Sequence, residues 1–463
     1  MGKKKLWILT EERPKKEVIR EILLRFTKDR QFACFLDKLR ILPVLENGKF
    51  SFLYEVVGFE CSRVEKIYIK SISGSSSCVD FLVFYQDEQP KLSDMPIYAI
   101  EETKTDDSES RNTGVGQRSS KFVYINQYYP DTTKIMLYNF QITPKEKPTE
   151  TNIFGTRLLM TIGVEFIGKK LDAEVFEPFS SITEIIDSKR KMHRPPAGNV
   201  PILITQSDNV ISISGRLIKS GSLSHDPNIG GLSIISAALR KLGWAGKIVI
   251  THHGLEQEHL KSNNKFIRIA NMLDIELDGL TRPSAIDNGE YWKYETTGEK
   301  LGTIFIHIVV ENFTEGYSVF ENHAGCEKGY FFTKEGKPIQ LEKYSDRTAY
   351  KEGDKSKIIS IPDLILVDFG RSEIINVEGK QYRFRQDGID ELDNFEEIES
   401  RYINRYYPEF DIIRTVVLYG SKEKEIIEIE VGFLLNENGD LILGIKAPKL
   451  FEEAIKNLID FWS

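Results

Sequence analysis

Two sets of acidic and basic residues have the spacing of a site that could hydrolyse a phosphate ester. In the C-terminal half, residues 358–369 read IISIPDLILVDF, a buried-strand pattern containing Pro362-Asp363. After a Gly370-Arg371-Ser372 turn, EIINVEGK ends a second strand in Glu378-Gly379-Lys380. Residues i and i+2 of a strand face the same side, so this carboxylate and this ammonium project together. In the N-terminal half, CVDFLVFY (78–85) puts Asp80 at the head of an apolar strand, and IYAIEETK (97–104) ends in Glu102-Thr103-Lys104. Phosphodiester hydrolysis needs a hard cation to carry charge on the phosphate and to activate water. Mg²⁺ takes oxygen ligands and is held by one or two carboxylates while keeping several waters. Asp80 with Glu102, and Asp363 with Glu378, are therefore the expected metal ligands. Lys104 and Lys380 are placed to orient or deprotonate the attacking water and to stabilise developing charge.

The elements that position these residues repeat along the chain. Residues 124–130 read YINQYYP and 402–408 read YINRYYP, differing only at Gln127 and Arg405. Each block follows one acid–lysine set at a similar distance. Each is followed by a basic residue (Lys134, Arg414) and an apolar run ending in Leu-Tyr. Downstream, 157–166 (RLLMTIGVEF) and 425–434 (EIIEIEVGFL) read as strands, and amphipathic segments follow Pro178 and Pro448. The expected organisation is a first αβ unit at 1–188, a basic linker at 189–199 broken by Pro195-Pro196, an αβ segment of unknown role at 200–290, and a second αβ unit at 291–463.

Pro362-Asp363 … Glu378-Gly379-Lys380 resembles the PD-(D/E)xK motif of restriction endonucleases and related nucleases. Asp80 … Glu102-Thr103-Lys104 resembles the same motif with Val79 in the place of the proline. The resemblance implies an α/β fold of mixed sheets flanked by helices, here as two tandem restriction-endonuclease-like units, with Mg²⁺ dependence and cleavage of double-stranded DNA. In such folds an upstream helix often adds an acidic residue, for which Glu55, Glu60 and Glu311 are candidates. Gln117 resembles a glutamine found behind the site in some of these nucleases.

Residues that could contact DNA follow each lysine. Arg111, Asn112, Gln117, Arg118 and Lys121 lie in KTDDSESRNTGVGQRSSK, and Arg383 and Arg385 in KQYRFRQDGIDE. Such side chains contact phosphates and base edges, although an exposed loop has the same composition. His252, His253 and His259, followed by Asn263-Asn264, have some flavour of a His–Asn–His nuclease, but the ββα hairpin that such a site needs is not legible. The loop at 220–231 suits a helix N-terminus that could meet a phosphate, but it lacks the GK[ST] of a nucleotide-binding loop.

The bulk properties fit this reading without requiring it. The chain of 463 residues has 40% hydrophobic and 29% charged residues, a globular composition long enough for two or three domains. The net charge of -8 argues against a general nucleic-acid coat protein but not against a local basic cleft. Four scattered cysteines without a CxxC pair argue against a zinc or disulfide framework and for a reducing cytoplasm. The start MGKKKLWILT, with only a short apolar run, is not expected to be a signal peptide, and no run of about 18 apolar residues is present. The expected function is a sequence-specific type II restriction enzyme with one active site per strand, acting as a monomer with a pseudo-two-fold pair of sites, a dimer being left open. The alternatives are a non-specific repair or defence nuclease, and a DNA-binding protein on a degenerate nuclease fold.

Overall fold

Apolar runs bounded by turn residues become strands throughout the chain, and mixed sheets flanked by helices make this an α/β protein. The computed structural model describes all residues except 1–2, 47–48, 76, 104–113, 139–148, 169–174, 193–201, 220–221, 224–226, 287–288, 296–298, 324–329, 342–358, 422–431, 437–438, 440 and 444–446. The chain divides into two compact units, Met1–Ile72 with Tyr294–Ser463, and Ser73–Lys293.

The N-terminal part of the first unit contains β1 (Lys4–Thr10), α1 (Lys16–Arg30), β2 (Cys34–Glu46), β3 (Lys49–Cys61) and β4 (Val64–Gly74), with strand order β2-β3-β4-β1. These residues group with the C-terminal part rather than with residues 73–188, which differs from the division expected from the repeat. The reason lies in contacts separated by hundreds of residues. Arg13 pairs with Glu311 and Glu321, the Phe50 ring lies 4.8 Å from that of Phe305, and the Trp462 indole donates to the Pro43 carbonyl. No local pattern encodes such partners.

The second unit begins with β5 (Phe81–Gln86) and β6 (Tyr98–Thr103), paired antiparallel. Their connection is held by the Asp94 carboxylate, which accepts from the Lys91 amide and the Gln86 side chain. Then follow α2 (Gly114–Tyr124), β7 (Thr133–Tyr138) parallel to β6, α3 (Glu150–Thr161), β8 (Val164–Ile167) parallel to β7, and α4 (Ile182–Lys191). Residues 157–161, expected as strand, instead form the last turns of α3. The Thr149 side chain accepts from the Asn152 amide at the helix start, and Phe154, Leu158 and Leu159 recur at helical spacing on a buried stripe. The first residues of the expected linker continue α4, and Pro195-Pro196 lies outside the described residues.

Segment 200–290 builds a second sheet within this unit: β9 (Leu203–Ser207), β10 (Val210–Arg216), β11 (Lys247–His253) and β12 (Ile275–Leu277), in the order β12-β11-β10-β9. Between these strands run α5 (Pro227–Lys241) and α6 (Lys265–Met272), and α5 packs against α2.

The C-terminal part of the first unit contains α7 (Glu299–Phe313), β13 (Tyr317–Glu321), β14 (Leu364–Asp368), β15 (Glu373–Gln381), α8 (Arg385–Leu392), β16 (Asp411–Ser421), β17 (Gly432–Asn436), β18 (Leu441–Leu443) and α9 (Lys449–Trp462). Its sheet order is β13-β14-β15-β16-β17-β18. Strands β14 and β15 are antiparallel, β16 is parallel to β15, and β17 is parallel to β16. The directions of β5-β6-β7-β8 follow the same order.

The repeated heptapeptides occupy corresponding places, each between the helical segment after the acidic strand and the next parallel strand. Tyr124, Ile125 and Tyr129 are buried in one copy, and Tyr402, Ile403 and Tyr407 in the other, with the intervening residues less buried or exposed. Tyr129 donates to the Leu92 carbonyl, and Tyr407 to the Phe332 carbonyl. Burying a phenol requires such a partner, so the repeat marks a packed helix–strand junction. No helix among the described residues is long and apolar enough to cross a membrane.

Candidate active sites

In the first unit, the centre lies where β14 meets β15. Leu364 is paired with Val377, so one step further the register sets Asp363 against Glu378. The Asp363 Oδ2 accepts the Gly379 amide at 3.0 Å. Glu378 is buried and its Oε1 lies 2.9 Å from the Lys380 ammonium. The helix α8 brings up Glu391, whose Oε2 is 2.7 Å from the same ammonium. Burial and the Asp363 charge raise the Glu378 carboxyl well above the usual carboxylate range. Burial would lower the Lys380 ammonium, but hydrogen bonding to Glu391 and the charge of Glu378 outweigh it, so Lys380 stays charged. Behind this centre Asn376 donates to Glu399, which Arg414 grips through Nε and Nη2 at 2.8 and 2.7 Å. Asp363, Glu378 and Lys380 thus come together as the sequence expects, and Glu391 is an addition that strand spacing does not reveal.

The second unit repeats this geometry with different residues. Phe81 is paired with Ile100, so the register sets Asp80 against Glu101. The Asp80 Oδ2 accepts the Glu102 amide at 2.7 Å, as Asp363 accepts the amide of the residue after Glu378. The carboxylate corresponding to Glu378 is therefore that of Glu101, one residue before the expected Glu102, and Thr103 stands where Lys380 stands. Neighbouring strand residues face opposite sides, so this single step exchanges the faces. Lys104 lies outside the described residues.

The ammonium at this centre comes from Lys121 on α2. Its Nζ is 2.7 Å from Glu101 Oε2 and 3.3 Å from Asp80 Oδ1. Arg118, one helical turn earlier, donates through Nε to the Glu102 carbonyl at 3.2 Å. Both residues were expected as DNA contacts; here they hold the acidic strand. Burial, and then the Asp80 charge, push the Glu101 carboxyl up to about 8. Burial opposes the charge on Lys121, but Asp80 and Glu101 outweigh it and raise its pKa. The signal that could have identified Glu101 is the double acid Glu101-Glu102, in which either residue can take the inward face.

The remaining expected residues are less central. Arg111 and Asn112 lie outside the described residues, and the side chain of Gln117 is likewise not described. Arg383 and Arg385 are exposed and lie over the rings of Phe384 and Tyr382. Glu55 pairs with Lys66, and Glu311 with Arg13 and His307, while Glu55 and Glu60 belong to the unit that does not contain Asp80. His252 meets the Asp278 carbonyl, and His259 accepts the Glu256 amide. These are the roles of turn and cap residues. Buried His307, with half-buried Glu321 and His323, offers nitrogen and oxygen ligand atoms within 4.8 Å of one another. Arg13 and Lys15 already neutralise Glu321 there.

Each acidic pair supplies hard oxygen donors. In each, one carboxyl is raised by burial and then by its acidic neighbour, which is the environment that a divalent cation relieves by taking the place of a proton. The donor sets therefore fit Mg²⁺ better than a soft-ligand metal. No family model, no curated protein and no solved structure matches this chain.

Proposed function

We propose that the protein is a magnesium-dependent endonuclease that hydrolyses phosphodiester bonds of double-stranded DNA. It carries one active site in each compact unit, each on a restriction-endonuclease-like αβ core. The observation that carries this reading is the repeated geometry: an aspartate before one hairpin strand accepts the amide just beyond a buried glutamate on the next strand, with a lysine ammonium within 3 Å of that glutamate. Two such constellations in equivalent topological positions are hard to obtain from ion pairing alone.

Asp80 and Glu101, and Asp363 and Glu378, would hold Mg²⁺, which when bound supplies Lewis acidity and a more acidic water. The lysines act as cations, because the carboxylates around them keep them protonated. Lys121 and Lys380 donate hydrogen bonds to the phosphate oxygens or the attacking water and balance the charge that develops. Glu391 also holds Lys380 and itself meets the Glu378 carboxyl, and α2 positions Lys121 against both acids of the other centre. Two sites serving two antiparallel strands suit double-strand cleavage of the sequence-specific, type II form.

The test is a plasmid digest with Mg²⁺, with Mn²⁺, and with excess chelator. Discrete fragments that need the metal support a sequence-specific enzyme, and a metal-dependent smear supports a non-specific nuclease. Full cleavage in chelator, or no cleavage with DNA still bound, rejects the catalytic reading.

A further inference from the structure

The segment between the two acid–lysine sets contains a feature with no structural use. Lys265, the first residue of α6, is 8% exposed, and its ammonium, which still reaches the cavity surface, makes no hydrogen bond or ion pair among the described residues. Burying a charge without a partner is costly, so such groups are rare unless a ligand completes them. Lys265 lines a cavity of about 350 Å³ within the second unit, together with Asn263, Asn264, Arg268, Tyr124, Tyr128 and one acid, Glu290. That volume is at the lower end of small-ligand pockets.

Three sources of positive potential converge on this cavity. The first is Lys265 itself. The second is Arg268, one turn along the same helix, whose guanidinium donates to the hydroxyls of Tyr124 and Tyr128 and is thereby fixed in the wall. The third is the start of α6, where the Asn264 side chain makes no capping hydrogen bond. The first-turn amides of a helix have no intrahelical acceptors and suit an anion. The cavity also adjoins the first acid pair: Tyr124 ends α2, the helix that carries Lys121, and Lys265 senses the charges of both Lys121 and Glu101. Burial, then the Lys121 charge, bring the Lys265 pKa down to about 8, where binding an anion would restore the proton.

We propose that this cavity is a phosphate-binding subsite of the Asp80–Glu101 centre, in which Lys265, Arg268 and the first turn of α6 hold a phosphate of the nucleic-acid strand. The identity of the strand rests on the nuclease reading; the phosphate chemistry does not. Segment 200–290 then has a role: it brings a cationic wall to a site whose acids lie just before β5 and on β6. The phosphate is either an internal diester next to the cleaved one or a terminal monoester.

The experiment measures binding calorimetrically in chelator, so that no cleavage occurs, for the full chain and its Lys265→Met and Lys265→Arg variants. The ligands are inorganic phosphate and a short single-stranded oligothymidylate with or without a 5′-phosphate, at matched ionic strength. The expected result is that K265M weakens phosphate and oligonucleotide binding by about tenfold or more, whereas K265R stays within about threefold of the parent. The melting temperature of K265M should equal or exceed that of the parent, because an unpartnered buried charge has been removed. Stronger binding of the 5′-phosphorylated oligomer assigns the subsite to a terminal monoester, and equal binding assigns it to a diester. Lysine-dependent binding of inorganic phosphate without oligonucleotide binding keeps the subsite and rejects the nuclease reading. Unchanged affinity in K265M, or a lower melting temperature, overturns the proposal.

Discussion

Asp80 accepts the backbone amide of Glu102 through Oδ2 at 2.7 Å, and this bond aims the preceding side chain, Glu101, at the same centre. The ammonium of Lys121 reaches both acids, so buried Glu101 and half-buried Asp80 share one cation. The corresponding bond from Gly379 to Asp363 fixes Glu378 in the same way. The two centres differ in the origin of the lysine: from the acidic strand itself at Lys380, and from the following helix at Lys121.

If each centre cuts one strand, disabling one should leave a nickase. Asp80→Asn or Glu101→Gln is expected to slow cleavage of one defined strand by about a hundredfold or more while the other strand is cut normally. Asp363→Asn or Glu378→Gln should spare the first strand and protect the second. Strand-resolved cleavage of an end-labelled duplex reads this directly. Undisturbed double-strand cutting by the Glu101→Gln protein would show that the first centre is not catalytic.

The raised carboxyl of Glu101 makes stability depend on pH in a predictable direction. Its pKa moves from 4.5 to about 8 on folding, so between these values the native chain holds a proton that the unfolded chain has released. The stability contributed by this group is fully present below 4.5 and is lost as pH rises through about 8. Glu101→Gln removes the proton linkage. Its melting temperature should therefore improve relative to the parent as pH is raised across that window, whereas a constant difference would contradict the assignment. Added Mg²⁺ should stabilise the parent more strongly toward the alkaline end, where the carboxyl can ligate without first losing a proton.

Arg13 is 9% exposed and faces both Glu311 and Glu321 at 2.8 Å. Removing one partner from a buried charge network leaves the others uncompensated. Arg13→Met is expected to cost about 3–5 kcal/mol in a urea titration. Adding Glu311→Gln and Glu321→Gln should recover part of that loss, because the stranded charges go with it. A loss below about 1 kcal/mol would mean that solvent reaches the network.

A similar contrast tests the support behind the Asp363 centre. Glu399 is buried between Asn376 and Arg414, whereas Glu397 makes an i,i+4 pair with Arg401 near the surface. Glu399→Ala should destabilise by about 2–4 kcal/mol, since a buried amide and a guanidinium both lose their acceptor. Glu397→Ala should cost no more than about 0.5 kcal/mol. Equal effects in thermal unfolding would refute the difference in burial.

Much of the architecture is legible in the chain itself. The runs PDLILVD and EIINVEGK specify two buried strands and the face shared by Glu378 and Lys380, because strand periodicity acts within a few residues. The repeated YIN(Q/R)YYP blocks mark equivalent helix–strand junctions, since the same aromatic positions are buried in each. Local propensity already failed at residues 157–161, where a capped helix and a buried apolar stripe prevailed over an apparent strand. The tertiary structure decided three further things. It chose Glu101 over Glu102, because the register of β5 against β6 fixes which of two adjacent acids faces Asp80. It brought Lys121 and Glu391 to the two centres from helices, whose positions depend on how those helices pack. It also joined residues 1–72 to the C-terminal part through Arg13, Phe50 and Pro43. Sequence patterns record periodicity along the chain, whereas these choices are set by contacts between segments far apart in it.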